Sequence, residues 1–352
     1  MLRKSKEELT TLIESIFLLS GTSENTAKRV TEALVSSSLA GVDSHGIWQI
    51  IRYSNDLKIK DYNGTIDPTI ISETSTTATV SGHWNFGHLG AKLAIETAIK
   101  KAKTTNIAIV GLIQAGHIGR LGEYAEIAAK ENMCSMIMGG GYGVETPRAV
   151  PYGGREAILH TNPIAIGFPI ANQTPFIMDY ATTSTAGSKI NKAAFKKETI
   201  PLGHLVDKDG IATQDASQIL KGGSQVPFGE HKGYALMVAI ELFGRILTGA
   251  DKYANTTEFN TATGMRYQGV SFIVFKADSL NPINIVNEKA SDLRKNIRNI
   301  PPAKGFDKVL VPGDLEENAR LERSIKGIPV EKEIWDEIVN IHEKLLKEAK
   351  QK

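Results

Sequence analysis

A chain of 352 residues is long enough for two domains and a large buried core. A formal net charge of +2, with 41% hydrophobic and 23% charged residues, gives no reason to expect nucleic acid or an anionic membrane as a partner. The single cysteine, Cys134, excludes an internal disulfide framework and suits a reducing cytoplasm; within the run MCSMIM it reads as a small buried hydrophobe.

The N-terminal stretch reads as an amphipathic helix rather than a signal peptide. Leu9, Leu12, Ile13, Ile16, Phe17 and Leu19 share one face, and Ser5 with Glu8 has capping-box spacing. That helix is expected to end near Gly21. A second helix, with Ala27, Val30, Ala33 and Leu34 on one face, delivers the chain to Asp43-Ser44-His45. No apolar run reaches the about 20 residues of a membrane span. From residue 70 strands and helices alternate: strand 77–82, helix 89–105, strand 107–113, helix 121–132, strand 133–141. Strand-like runs then follow with little helix between them, at 162–170 and 175–181. A hairpin is expected at 204–213, with Asp209-Gly210 at its turn. Residues 232–250 form the most apolar helical run and are expected to be central. A strand at 269–278 and a charged C-terminal helix complete the chain. Helices at both ends around a mixed middle predict a discontinuous helical domain, 1–68 with 300–352, enclosing a sheet domain of 69–299.

Three of the eight histidines have surroundings that suit chemistry. His45 lies in DSHG, His117 follows a strand in QAGHIGRLG, and His231 opens the apolar helix in GEHKGYAL. His83, His88, His160, His204 and His342 read as structural or exposed. Adjacent Asp43, Ser44 and His45 do not make a hydrolytic triad, because that geometry needs three side chains converging from separate segments, and no G-x-S-x-G elbow occurs. No H-E-x-x-H, C-x-x-C or paired histidines at helical spacing occur, so no metal is expected. Neither G-x-G-x-x-G nor a P-loop is present, so a dinucleotide would not bind through the ordinary Rossmann turn. Lys232, at the start of a helix, instead sits where amides and the positive end of the dipole favour an anion.

In order, the segments GVDSHGIWQIIRY, GHIGRLGEYAEIAAKEN, VPYGG, TNPIAIGFP, MDYATT, GHLVDKDGIATQD, HKGYALMV and LVPGD resemble the malate/L-lactate dehydrogenase family of the non-Rossmann type over roughly residues 5–340. The resemblance implies an α/β (α+β) chain whose NAD(P)-binding part is a largely antiparallel sheet, beside a helical domain built from both termini. It implies a cytoplasmic homodimer using NAD or NADP. The substrate would be a small 2-hydroxy or 2-oxo acid of the malate, lactate, sulfolactate or ureidoglycolate kind. A dinucleotide-binding sensor of the same fold without turnover is the rival expectation. By motif, His45 and His117 line the active site, one as acid/base and the other bonding the substrate oxygen. Ser44 and Arg52 would hold the substrate, Arg52 through a bidentate contact to its carboxylate. The cofactor contacts carried over are Gly141, Met178, Asp179, Tyr180, Ala181, Thr182, His231, Lys232, Gly313 and Asp314; Asp179 has the alternative role of fixing a histidine tautomer. The chain departs from several relatives at Gln49, where they carry arginine, which weighs against a doubly charged substrate. It departs also at the glycines of MGGGYG and at Tyr180.

Overall fold

The computed structural model describes residues 1–255 and 265–351. The chain opens with β1 (Leu2–Lys4), α1 (Lys6–Leu19), α2 (Glu24–Leu39) and α3 (Gln49–Lys58). The sheet region runs β2 (Thr69–Glu73), β3 (Thr77–Ser81), α4 (Gly87–Thr105), β4 (Ile107–Ile113), α5 (Leu121–Lys130), β5 (Met133–Gly140), β6 (Ile164–Phe168) and β7 (Phe176–Tyr180). Then come α6 (Gly187–Lys196), β8 (Leu205–Val206), β9 (Ala212–Thr213), β10 (Ser224–Gln225), α7 (Glu230–Glu241) and β11 (Gly269–Lys276). The chain closes with α8 (Ile283–Arg298), α9 (Asp314–Lys326), β12 (Ile328–Val330) and α10 (Lys332–Gln351).

Local signals set the helix starts. The Ser5 hydroxyl accepts the Glu8 amide and that of Ser23 accepts the Thr26 amide, each satisfying one of the free N–H groups at a helix start. The Glu8 carboxylate does not complete a capping box; it meets Lys4 Nζ at 2.6 Å. At the hairpin, β8 pairs antiparallel with β9, with Gly210 at φ +83 in the turn.

Among the described residues the main sheet has seven strands in the order β2-β3-β4-β11-β5-β6-β7. Only β3 and β4 are parallel, joined by the α4 crossover; every other neighbouring pair is antiparallel. The late strand β11 inserts between β4 and β5, and this converts what the βαβ-like alternation would make parallel into an antiparallel sheet. The non-Rossmann mixed α/β architecture expected from the resemblance is therefore present. Because β4, β5 and β7 run the same way, their C-terminal ends share one end of the sheet.

Two apolar clusters make up most of the core. One is built from α4, α5 and the sheet, including Ile95, Leu112, Tyr124, Ile137 and Phe272. The other joins the two chain termini through Leu9, Phe17, Leu34, Tyr53, Phe86, Val330 and Ile338, and β1 pairs antiparallel with β12 beside it. The 232–250 run is not central. Helix α7 stops at Glu241 and continues as a π-turn, Leu242–Ile246, where Leu242, Phe243, Ile246 and Leu247 are 53%, 41%, 53% and 57% exposed. Gly233, Met237, Ile240 and Gly244 are its buried positions, so one stripe faces inward and the rest of its apolar surface is left outside. Cys134 is buried, as expected.

Candidate active site

The Asp43-Ser44-His45 triplet forms a short 3-10 turn, and its side chains leave in three directions. Asp43 pairs with Arg323 of α9 at 2.5 Å. Ser44 Oγ lies 3.0 Å from Nδ1 of its neighbour His45. The His45 ring stacks on His117, centroids 5.5 Å apart and planes within 13°. The loop after β4 thus meets the turn before α3, and two imidazoles 72 positions apart face each other.

Each ring has a partner at Nδ1. For His117 it is the Tyr53 hydroxyl, at 2.6 Å. Tyr53 comes from α3, is fully buried and packs on Phe86 at 5.0 Å. The Tyr62 hydroxyl accepts the His117 backbone N–H at 3.4 Å and a hydrogen bond from Arg52 Nη2 at 3.2 Å. Arg52 also meets Asp56 at 3.3 Å and keeps 42% of its side chain exposed. Gln49, one turn earlier, donates its amide to the Ser44 carbonyl at 2.8 Å and brings no charge.

Electrostatics holds both imidazoles neutral. Burial, then the charges of Arg120 and Arg52, lowers His45 to about 4. Burial, Arg52, His45 and His88 together lower His117 well below the ordinary imidazole value. Because each ring disfavours the other's charge, a proton taken up here belongs to the pair.

Two residues at this site carried no sequence signal. His88, in the first turn of α4, is fully buried, with its ring 6.3 Å from His117 and 5.8 Å from Tyr53. Reading it as one of the residues without a distinctive setting missed this contact. Arg120, three residues after His117, is 3% exposed and is the foremost charge acting on His45.

The remaining carried-over residues divide into two places. Gly141 follows β5 at φ +91, where a Cβ would stand 1.8 Å from the Tyr267 carbonyl oxygen; its N–H donates to Glu241 at 3.0 Å. Next to Tyr267, Gln268 donates to the carbonyls of Ala115 and Gly116 at 3.1 and 3.0 Å, so this dipeptide ties the His117 loop to Gly141. Met178, Asp179 and Tyr180 end β7 at the same end of the sheet, followed by Ala181 and the fully buried Thr182. Asp179 accepts the Gly122 amide of α5 at 2.7 Å, and burial pushes its carboxyl up to about 6. The Tyr180 ring is 39% exposed and lies 5.5 Å from Phe228. The Phe228 amide bonds the Thr182 carbonyl at 2.9 Å, which brings the start of α7, with exposed His231 and Lys232, alongside. Gly313 and Asp314 are not brought there. They sit against Pro175 and Ile177, at the other end of β7, and Asp314 is filled by Arg294 and Arg298, each at 2.6 Å.

The family model for malate/L-lactate dehydrogenase matches residues 5–339. The L-sulfolactate dehydrogenase of Methanocaldococcus jannaschii is 34% identical, over 94% of this chain and 93% of its own length. The malate/(S)-sulfolactate dehydrogenase of Methanothermus fervidus is 32% identical over 97% of each chain. A solved structure described as a putative malate/lactate dehydrogenase from E. coli superposes with a TM-score of 0.89 at 28% identity, covering 98% of this chain and 96% of that one. The chain therefore belongs to the malate/L-lactate dehydrogenase family.

Proposed function

We propose that the protein is an NAD(P)-dependent oxidoreductase that interconverts a small 2-hydroxy acid and its 2-oxo acid, with His45 and His117 as the acid/base pair. The observation that carries the reading is the stacking of these two neutral rings at 5.5 Å, each with its Nδ1 already engaged. In the oxidation direction the substrate hydroxyl gives its proton to a ring nitrogen as the C2 hydride departs and the C–O bond becomes a carbonyl. In reduction the imidazole returns that proton. A bound nicotinamide would supply the hydride acceptor in one direction and the hydride donor in the other. Arg52, anchored by Asp56 and Tyr62, holds the substrate carboxylate, and Ser44 bonds the carboxylate or hydroxyl.

The residues present fit a dinucleotide. Helix α7 opens at Gly229, where a Cβ would have nothing within 4 Å, and Lys232 stands exposed in its first turn, so amides and a cation are available to a diphosphate. Gly141 and the Met178–Thr182 segment lie at the same end of the sheet as His117. The half-exposed Leu242, Phe243, Ile246 and Leu247 support a second copy as partner. The helical part, 1–68 with 300–352, and the sheet part, 69–299, would then meet at the imidazole pair in a cytoplasmic homodimer.

The test is a panel of 2-oxo acids given with NADH and with NADPH, followed by the loss of reduced-nicotinamide absorbance. Acid-dependent loss is expected with at least one cofactor. A cofactor-raised melting temperature without turnover of any acid would overturn the catalytic reading.

A further inference from the structure

Arg120 presents an unusual combination. Its guanidinium is 3% exposed, yet only Nη1 is bonded, to Glu126 Oε1 at 3.0 Å. Nε and Nη2 have no hydrogen-bond partner among the described residues. Those two atoms are the parallel donors on one edge of the guanidinium, the fork that matches two oxygens of a carboxylate or sulfonate. A buried cation with an open fork is costly, because the donors forgo water without a replacement.

Its position ties this fork to the imidazole pair. Arg120 sits between Gly119 and the first residue of α5, three positions after His117. Its Nη1 and the Asp179 carboxylate flank Gly122, lying 2.8 and 2.9 Å from where a Cβ would be. Glu126, its one hydrogen-bonded partner, is shared with Arg320 of α9, which also meets Glu317 at 3.6 Å. The acidic groups facing this cluster are Glu126, Asp179 and Glu123, and Glu123 is paired with Arg29 at 2.8 Å. Arg52 is the other cation whose charge lowers His45.

We propose that Arg120 is a specificity-determining residue whose Nε and Nη2 receive the second anionic group of a dianionic 2-hydroxy or 2-oxo acid, while Arg52 holds the carboxylate beside the reacting carbon. This rests on the acid/base reading of His45 and His117 above. It restores the second anionic contact that Gln49 cannot provide. The fork is buried, so engagement requires neighbouring groups to move, and the pair then forms away from water, where charge-assisted bonds are strongest.

The test compares the full-length protein with Arg120→Met and Arg120→Lys. The first readout is the ratio of kcat/KM for oxaloacetate to that for pyruvate. The wild type is expected to prefer the dianion, and Arg120→Met to lower that preference about 100-fold, the scale for truncating one side of a buried charged pair. Arg120→Lys, which keeps the charge without the fork, is expected to fall between them. Equal losses on the two acids, or an unchanged ratio, overturn the assignment. The second readout is calorimetric binding of malate and of lactate without turnover. Malate binding lost selectively in Arg120→Met sustains the proposal even if no acid is reduced, an outcome that would sink only the catalytic reading. Malate bound alike by wild type and variant, or by neither, overturns it. If Arg120→Met does not fold, Arg120→Lys and Arg120→Gln are read by the same two ratios.

Discussion

The Tyr53 hydroxyl lies 2.6 Å from Nδ1 of His117, joining the buried face of α3 to the loop after β4. This bond decides which nitrogen of the imidazole faces the substrate with a lone pair: when Nδ1–H donates to the phenol oxygen, Nε2 is the free base. Tyr53→Phe keeps the ring packing on Phe86 and removes only that partner. We expect kcat to fall about tenfold, the equivalent of one hydrogen bond, against about 10²- to 10⁴-fold for His117→Ala. Steady-state kinetics on the two variants checks this. A Tyr53→Phe enzyme with unchanged kcat would mean that the loop backbone alone holds the ring.

The depressed value of His45 has a definite sign. Its imidazole is lowered to about 4 from 6.5, first by burial and then by Arg120 and Arg52. The unfolded chain therefore binds a proton that the folded chain refuses between pH 6.5 and 4. Stability should rise with pH through that window and be lost as pH falls through it. A neutral base also remains available in acid, so kcat/KM for hydroxy acid oxidation should hold below pH 6.5 and fall only nearer 4. A pH–rate profile with an acid limb at the ordinary imidazole value would contradict the burial of the pair.

Much of this was legible in the sequence, and the failures have a common cause. Ser5, Ser23 and the Asp209-Gly210 turn act through neighbours a few residues away, so their elements were readable. So were the β-branched strand at Ile107–Ile113 and the convergence of His45 with His117, which the ordered motifs carried. Missed features depend on distant partners. The insertion of β11 between β4 and β5 joins strands more than a hundred residues apart and has no local mark. Arg120 stands just before the helix expected at 121–132 with no local mark of burial, and its partner Glu126 is shared with Arg320 of the distant α9. The apolar run 232–250 misled because hydrophobicity without periodicity does not say which neighbours exist; the residues after Glu241 have sheet on one side only. Helices α6 and α8 are largely polar and carry no local signal that assigns them, whereas α9 falls within the 300–352 stretch read as helical.

His88 and Gly119 provide a stability test of the packing behind the catalytic pair. Gly119 has φ +75, and a Cβ there would lie 2.6 Å from Nε2 of the buried His88 ring. Gly119→Ala combines left-handed strain with a clash against a side chain that cannot swing into solvent. A loss of about 1–3 kcal/mol in unfolding free energy is expected. Adding His88→Ala should recover the clash but not the backbone strain. Denaturant melts of the single and double variants separate the two terms, and a fully stable Gly119→Ala would show that His88 yields freely.

Asp314 supplies the strongest stability prediction, because it is the hub of a buried ion cluster rather than an exposed pair. Its carboxylate takes Arg294 of α8 and Arg298 at 2.6 Å each, and the Val311 amide at 3.0 Å, with Arg294 and Asp314 side chains 4% and 5% exposed. Burial alone would raise its carboxyl; the bonds from Arg298, Val311 and Arg294 outweigh it and hold the group at about 2. The unfolded carboxyl titrates near 3.9. The clasp is thus fully present above that value and is lost as pH falls towards 2. Asp314→Ala strands the Arg294 guanidinium in a buried setting, for which about 3–5 kcal/mol of destabilisation is expected. The exposed pair Arg155–Glu156, at 67% and 81% side-chain exposure, is the internal control: removing Glu156 should change stability by less than about 1 kcal/mol. Equilibrium unfolding of both variants decides the matter. Equal small effects would mean that the cluster's desolvation cost cancels its attraction, leaving α8 and α9 held by apolar contacts alone.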